Sequence, residues 1–262
     1  MMAATGPSIS VIVPCYNEEK NVRGAIESIG KALLSAPGPR GGQGLSDYEI
    51  LLFNDCSTDS TGAIADGLLS TEPRLKVIHN PRNMGFGYNY TEGVRLASRD
   101  YVIMVPGDNE IPSAAIEEVL SHISEADIII PFTANPWTRP LSRRVVSRAF
   151  VLLMNSLFGL RLRYYNGTCL IRASMLKKVP MKTWGFAYMA AILVRLLRTG
   201  ASFIEVGVVI RPRESGKSKA FRPRNVISVV GALAGLFWEV RVSGRSRYKS
   251  APRRVAPALP QA

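Results

Sequence analysis

Between Ser8 and Pro131 the chain repeats one pattern: a short β-branched run, a polar turn, then a segment with helical periodicity. The runs are Ser8 to Pro14, Tyr48 to Asn54, Leu75 to His79, Tyr101 to Val105 and Asp127 to Pro131. The helical segments are Asn17 to about Leu34, Thr58 to Leu69, roughly Tyr88 to Ala97, and one opening at Ser113. Apolar β-branched runs with no polar alternation suit strands buried on both faces. Strand and helix in strict succession predict an α/β fold with a doubly wound, mostly parallel sheet and right-handed crossovers. Few other architectures accept the pattern.

Such sheets bind ligands beyond the carboxyl ends of their strands. Tyr16 and Glu18 follow the first strand, Asp55 the second, and Asp108 and Glu110 the fourth. Three loops are therefore expected to converge on one edge. Asp108-x-Glu110 sets two hard oxygen ligands on one tight turn, a donor pair suited to Mg²⁺ or Mn²⁺ bridging a diphosphate. Asp55 suits either an acceptor for a nucleobase or ribose, or a cap for the helix near Thr58. Glu18 suits either a ligand contact or a partner for the helix dipole. Gly85-x-Gly87 and Asn166-Gly167 read as turns, and His79 and His122 as structural histidines.

Beyond Pro131 the pattern loosens. Arg139, Arg143, Arg144 and Arg148 mark a basic helix start, continued by the apolar run Ala149 to Leu160. Tyr164 to Arg172 reads as a turn into a strand, Gly185 to Leu197 as an apolar helix and Phe203 to Val209 as the last strand. Arg211 to Lys219 is a polar loop with cations for an anion.

A formal charge of +13, from 33 basic and 20 acidic residues, points to an anionic partner. Nucleic acid is set aside, for no zinc-ligand spacing, helix-turn-helix signature or aromatic-basic RNA motif is present. Cys15, Cys56 and Cys169 form no metal-like spacing and suit a reducing compartment. Without a signal-peptide pattern before Ile9, the cytoplasmic face of a membrane is the expected location. Val226 to Phe237 holds twelve uncharged residues before Trp238. As a helix it spans roughly 18 Å, short of the ~30 Å hydrocarbon core. Flanked by Arg222, Arg224, Arg241, Arg245, Arg247 and Lys249, it reads as an interfacial helix on an anionic membrane surface, the other reading being a core or dimer-interface helix. The expected division is a sheet domain over 1–222, a membrane-associating helix over 223–249 and a disordered tail over 250–262.

Val13-Pro-Cys-Tyr-Asn-Glu-Glu19, Asn54-Asp-Cys-Ser-Thr-Asp59, Asn83-x-Gly85 and the Asp108 turn resemble the family-two glycosyltransferases of GT-A fold. The loop Arg213-Glu-Ser-Gly-Lys-Ser-Lys219 is similar to one in the polyprenyl-phosphate sugar transferases, the dolichol-phosphate mannose synthase branch. The resemblance implies a UDP- or GDP-sugar donor, a divalent metal, inversion at the anomeric carbon and a lipid-phosphate acceptor. It puts Pro14, Tyr16, Glu18 and Asp55 around the nucleoside, and Asp108 and Glu110 on the metal. It puts Arg139 or Arg143, with Arg213 and Lys219, on the diphosphate and the acceptor phosphate. The chain departs from the pattern at Asn54, where an acid is common, at Pro106, where the acidic motif usually begins, and at Ala191, where the branch commonly carries Glu. Two other readings stay open: transfer to a hydroxyl of a lipid headgroup or glycan, and a non-catalytic nucleotide-sugar or membrane-binding module.

Overall fold

The computed structural model describes residues 6–36, 44–181, 185, 187–211 and 223–256. Its strands are β1 (Ser8–Cys15), β2 (Asp47–Asn54), β3 (Leu75–His79), β4 (Tyr101–Met104), β5 (Ile128–Thr133), β6 (Leu170–Arg172), β7 (Ser202–Val208) and β8 (Arg253–Arg254). Between them lie α1 (Val22–Ser35), α2 (Thr61–Gly67), α3 (Phe86–Leu96), α4 (Ser113–Ser121), α5 (Leu141–Phe158), α6 (Ala173–Leu176), α7 (Tyr188–Arg198) and α8 (Pro223–Phe237).

The strands form one sheet in the order β3-β2-β1-β4-β6-β5-β7-β8. All neighbours pair in parallel except β6, which runs antiparallel to both β4 and β5. Side chains alternate across each strand, so the sheet feeds two cores. Ile9, Val11 and Val13 of β1 pack on one face with Val22 and Ile26 of α1 and Ile116 and Leu120 of α4. Ile12, on the same strand, faces Tyr90 and Val94 of α3, with α7 beside them. At Gly93 of α3 the backbone comes so near that an added Cβ would lie 2.6 Å from Ile12 Cδ1. Burial on both faces is why β1, β2 and β4 carry no polar alternation.

Two boundaries differ from expectation. The first helix begins at Val22 rather than Asn17, because residues 17 to 21 are occupied in turns and in pairing with another loop. The tail expected to be disordered from Ser250 instead adds Arg253–Arg254 to the sheet edge beside β7, with Arg253 Nε donating to the Gly200 carbonyl. Residues 257–262 lie outside the described residues. The helix read as a membrane-associating element is held to the core by Leu233 and Leu236, both buried among residues of α7. Beyond it a π-helical turn, Trp238–Ser243, brings Glu239 onto the buried Arg195 of α7 through two hydrogen bonds of 3.0 and 2.9 Å. Among the described residues no helix is long and apolar enough to cross a membrane.

Candidate active site

The parallel strands bring the ends of β1, β2 and β4 to one edge, and each following turn contains a non-glycine residue with positive φ. These are Asn17 (58°), Cys56 (58°) and Asn109 (56°). Left-handed backbone costs energy for side-chain-bearing residues and persists where surroundings hold it. Here the loops after β1 and β2 hold each other. The Asn17 amide donates to Ser57 Oγ at 3.0 Å, while Asn17 Oδ1 accepts from the Thr58 amide at 2.8 Å. The Glu18 amide donates to Thr61 Oγ1 at 2.8 Å, and the Ser60 amide to Glu19 Oε2 at 3.1 Å. Glu18 Oε2 accepts from Asn21 Nδ2 at 2.7 Å, so the side chain braces its own turn.

Asp55 is almost wholly buried and its carboxylate organises the loop ahead of α3. Oδ1 accepts from Asn80 Nδ2 at 2.7 Å and the Met84 amide at 2.8 Å, and Oδ2 accepts from the Gly85 amide at 2.8 Å. Gly85 stands at φ 85°, which explains the glycine there. Both oxygens are thus given to this loop, a use that neither of the two readings open for Asp55 foresaw. The neighbouring Asn54, where an acid is common in the resembling family, accepts from the Ser57 amide at 3.1 Å and turns its NH₂ to His79 Nδ1 at 3.0 Å. His79 Nε2 lies 3.0 Å from Asp66. An acid at 54 has no NH₂ to give that ring.

The acidic turn is braced from both sides. The Gly107 amide donates to the Pro14 carbonyl at 3.1 Å, tying the turn to the end of β1. Glu110's amide donates to Asp108 Oδ1 at 3.2 Å. Asn109 meets Ser28 of α1 at 3.4 Å, and Arg211 Nη1 donates to Asn109 Oδ1 at 3.4 Å. The Arg211 amide also donates to the Glu110 carbonyl at 2.9 Å. The polar segment beginning at Arg211 therefore starts against the turn that carries the two acids. Burial pushes the Cys15 thiol well above its ordinary range, and the negative charges of Glu18 and Asp108 push it further. Two carboxylates from different loops thus act on one sulfur.

No group of three or more His, Cys, Asp or Glu able to hold a metal occurs among the described residues. Asp108 and Glu110 are hard oxygen donors on one turn, which fits a cation that completes its shell with phosphate and water. Arg139 sits half-buried at the entrance to α5, its Nη1 3.1 Å from Tyr164 Oη, and Arg143 lies one turn further on. Tyr16 is half-buried beside the end of β1. Arg213 and Lys219 lie outside the described residues. Two positioning residues escaped sequence reasoning. Asn135 is buried after β5 and clasps Ile210, donating to its carbonyl at 2.9 Å and accepting from its amide at 3.1 Å. Arg211 is the other; its cationic character alone did not separate it from its neighbours.

Residues 10–180 match the family model described as glycosyl transferase family 2. The undecaprenyl-phosphate mannosyltransferase of Micrococcus luteus is 27% identical over 222 residues, covering 80% of this chain and 86% of that one. The polyprenol monophosphomannose synthase of Mycolicibacterium smegmatis is 28% identical over 226 residues, covering 80% and 79%. Among solved structures, glucosyl-3-phosphoglycerate synthase from Mycobacterium tuberculosis, in complex with Mn²⁺, uridine diphosphate and phosphoglyceric acid, superposes with a TM-score of 0.64. It is 18% identical, and the match covers 90% of this chain and 80% of that one. With the clasped loops, the acidic turn and a family match over most of its length, the chain belongs to glycosyl transferase family 2 and is a glycosyltransferase of GT-A fold.

Proposed function

We propose that this site moves a sugar from a nucleoside diphosphate, uridine or guanosine, to the phosphate of a polyprenyl-type lipid with inversion at the anomeric carbon. One observation carries the reading: Arg211, the first residue of the basic segment, is docked on the turn that bears Asp108 and Glu110. That arrangement gathers cations and carboxylates at one strand edge, as two anionic substrates require. The two polyprenyl-phosphate relatives support the acceptor class.

In this reading the nucleoside lies against Pro14, Tyr16 and Glu18, in the cleft bounded by the clasped loops after β1 and β2. Asp55 keeps the floor of that cleft in place through Asn80, Met84 and Gly85. The diphosphate extends toward Asp108 and Glu110. A divalent cation held there, Mg²⁺ or Mn²⁺, would offset the charge growing on the departing diphosphate. An oxygen of the lipid phosphate forms the new bond to the anomeric carbon while the bond to the diphosphate oxygen breaks on the opposite face. The nucleophile is already anionic at neutral pH, so no side chain has to remove a proton. Arg139 or Arg143, with Arg213 and Lys219, hold the two anionic groups within reach, where guanidinium forks offer paired hydrogen bonds to phosphate. A membrane-borne acceptor calls for work at a bilayer surface, which in this reading is the cytoplasmic one.

The test is a panel of radiolabelled nucleotide sugars incubated with membranes, followed by lipid extraction. Wild type should carry label into the lipid fraction from one donor. Asp108→Asn should lose on the order of 100-fold or more in rate while melting as wild type does. Near-normal turnover of Asp108→Asn, or full activity in excess chelator, would refute the metal assignment; no lipid label from any donor would refute the acceptor class.

A further inference from the structure

Helix α5 is amphipathic the wrong way round for a helix facing water. Its inner side packs Met154 and Phe158 into the core. Its outer side carries Leu141, Val145, Val146, Leu152 and Leu153, between 48% and 69% exposed. Apart from Arg148, every other exposed position from Leu141 to Phe158 is serine or alanine. A helix on a soluble surface turns charges outward; this one turns an uncharged apolar stripe outward over its whole length. At 18 residues it runs about 27 Å. Trp137, 71% exposed, stands just before its start.

The charges are placed beside the stripe rather than on it. At 100° per residue, Arg144 and Arg148 fall along one border, on a protein whose formal charge is +13. An apolar strip with a tryptophan at its end and arginines on its flank is complementary to an anionic bilayer: acyl chains under the strip, headgroup phosphates under the guanidiniums. The helix also begins at the substrate edge, since β5 delivers the chain through Asn135 and the turn at Pro136–Thr138 into α5. Its far end meets α8, where Phe158 and Phe237 rings lie 6.4 Å apart and Arg241 Nε donates to the Leu157 carbonyl at 2.9 Å.

We infer that the outer face of α5 is the principal membrane-docking surface of this enzyme, lying flat on anionic lipid with its first turn at the active-site edge. Such docking presents a lipid headgroup beside Arg139 and Arg143; that clause rests on the proposed acceptor, whereas the docking itself rests on the exposed face. The role expected of the tail passes largely to α5, because α8 is pinned inward by Leu233 and Leu236.

The experiment is flotation of the full-length protein with vesicles of equal parts phosphatidylcholine and phosphatidylglycerol, and with phosphatidylcholine alone, in the absence of donor and acceptor. Wild type should float with the anionic vesicles and not with the neutral ones. Val145→Glu with Leu152→Glu should reduce the floated fraction about tenfold or more, since two buried anions oppose both forces. Circular dichroism should match wild type, because both positions are exposed. Arg148→Glu, which leaves the apolar stripe intact, should weaken flotation and make what remains less sensitive to salt. The inference fails if wild type does not float, if it floats equally on neutral vesicles, or if the double variant floats as wild type does. It also fails if sedimentation shows a wild-type dimer that the double variant breaks while neither binds vesicles; the face would then be covered by a second copy. Lipid labelling enters none of these outcomes, so failure of the acceptor reading is separately visible.

Discussion

Replacing Glu239 by alanine should leave a charge without its partner inside the protein. Arg195 of α7 is 4% exposed and donates through Nε and Nη2 to the two carboxylate oxygens of Glu239. Tyr248 Oη donates to the same carboxylate at 2.8 Å, and Arg198 Nε reaches the Tyr248 carbonyl at 3.1 Å. Breaking a buried pair from one side costs about 3–5 kcal/mol, because the remaining charge keeps its desolvation penalty. Glu239 retains some solvent, its side chain being 20% exposed, which argues for the lower end, about 3 kcal/mol. For a domain of this size each kcal/mol moves the midpoint by ~2–4 °C, so Tm should fall by about 6–12 °C. Urea and thermal melts of Glu239→Ala, Arg195→Met and the double variant form the assay. Arg195→Met with Glu239→Met should recover more than half of the loss, since an apolar pair removes the buried charge itself. A Glu239→Ala cost below about 1 kcal/mol, or a double variant no better than the single, would refute the pairing as a structural clasp. The same reasoning predicts that cutting the chain before Glu239 destabilises the sheet domain rather than releasing it intact.

Gly107→Ala should destabilise by about 1–3 kcal/mol and displace Asp108, because its Cβ would stand 2.3 Å from Cys15 Sγ; denaturation of a Cys15→Ala, Gly107→Ala cycle should show the cost shrinking once the sulfur is gone. Glu49 supplies a pH test. Burial would raise its carboxyl, but hydrogen bonds from the Ser98 amide, Lys76, Ser10 and the Ser98 hydroxyl hold it down to about 2, against an ordinary 4.5. Its stabilisation is therefore fully present above pH 4.5 and is lost as pH falls through 4.5 toward 2. Glu49→Gln should cost about 2 kcal/mol near neutrality, with the gap to wild type closing below pH 4 in urea melts; a constant gap across that window would overturn it.

The five-strand alternation, the convergence of three loops on one edge and the acidic turn were all legible in the residues, because each depends on local periodicity and strand direction. A buried parallel strand must be apolar on both faces, and its loop must leave at the carboxyl end; neither fact needs tertiary detail. The use made of individual polar groups was not legible. Asp55 reads in sequence as an acceptor for a ligand or as a helix cap, yet the structure turns its oxygens to Asn80, Met84 and Gly85, 25 to 30 residues onward. Asn135 and Arg211 could not be singled out, since their partners lie 75 and 102 positions away. The antiparallel β6, with only three residues, carries no periodicity to read. In α5 the sequence showed a basic helix start continued by an apolar run, Ala149 to Leu160. Which side of it meets water is decided by where α7 and the sheet already stand. Composition and period follow from the chain alone; the choice of which apolar face to bury belongs to the packing of elements far apart in it.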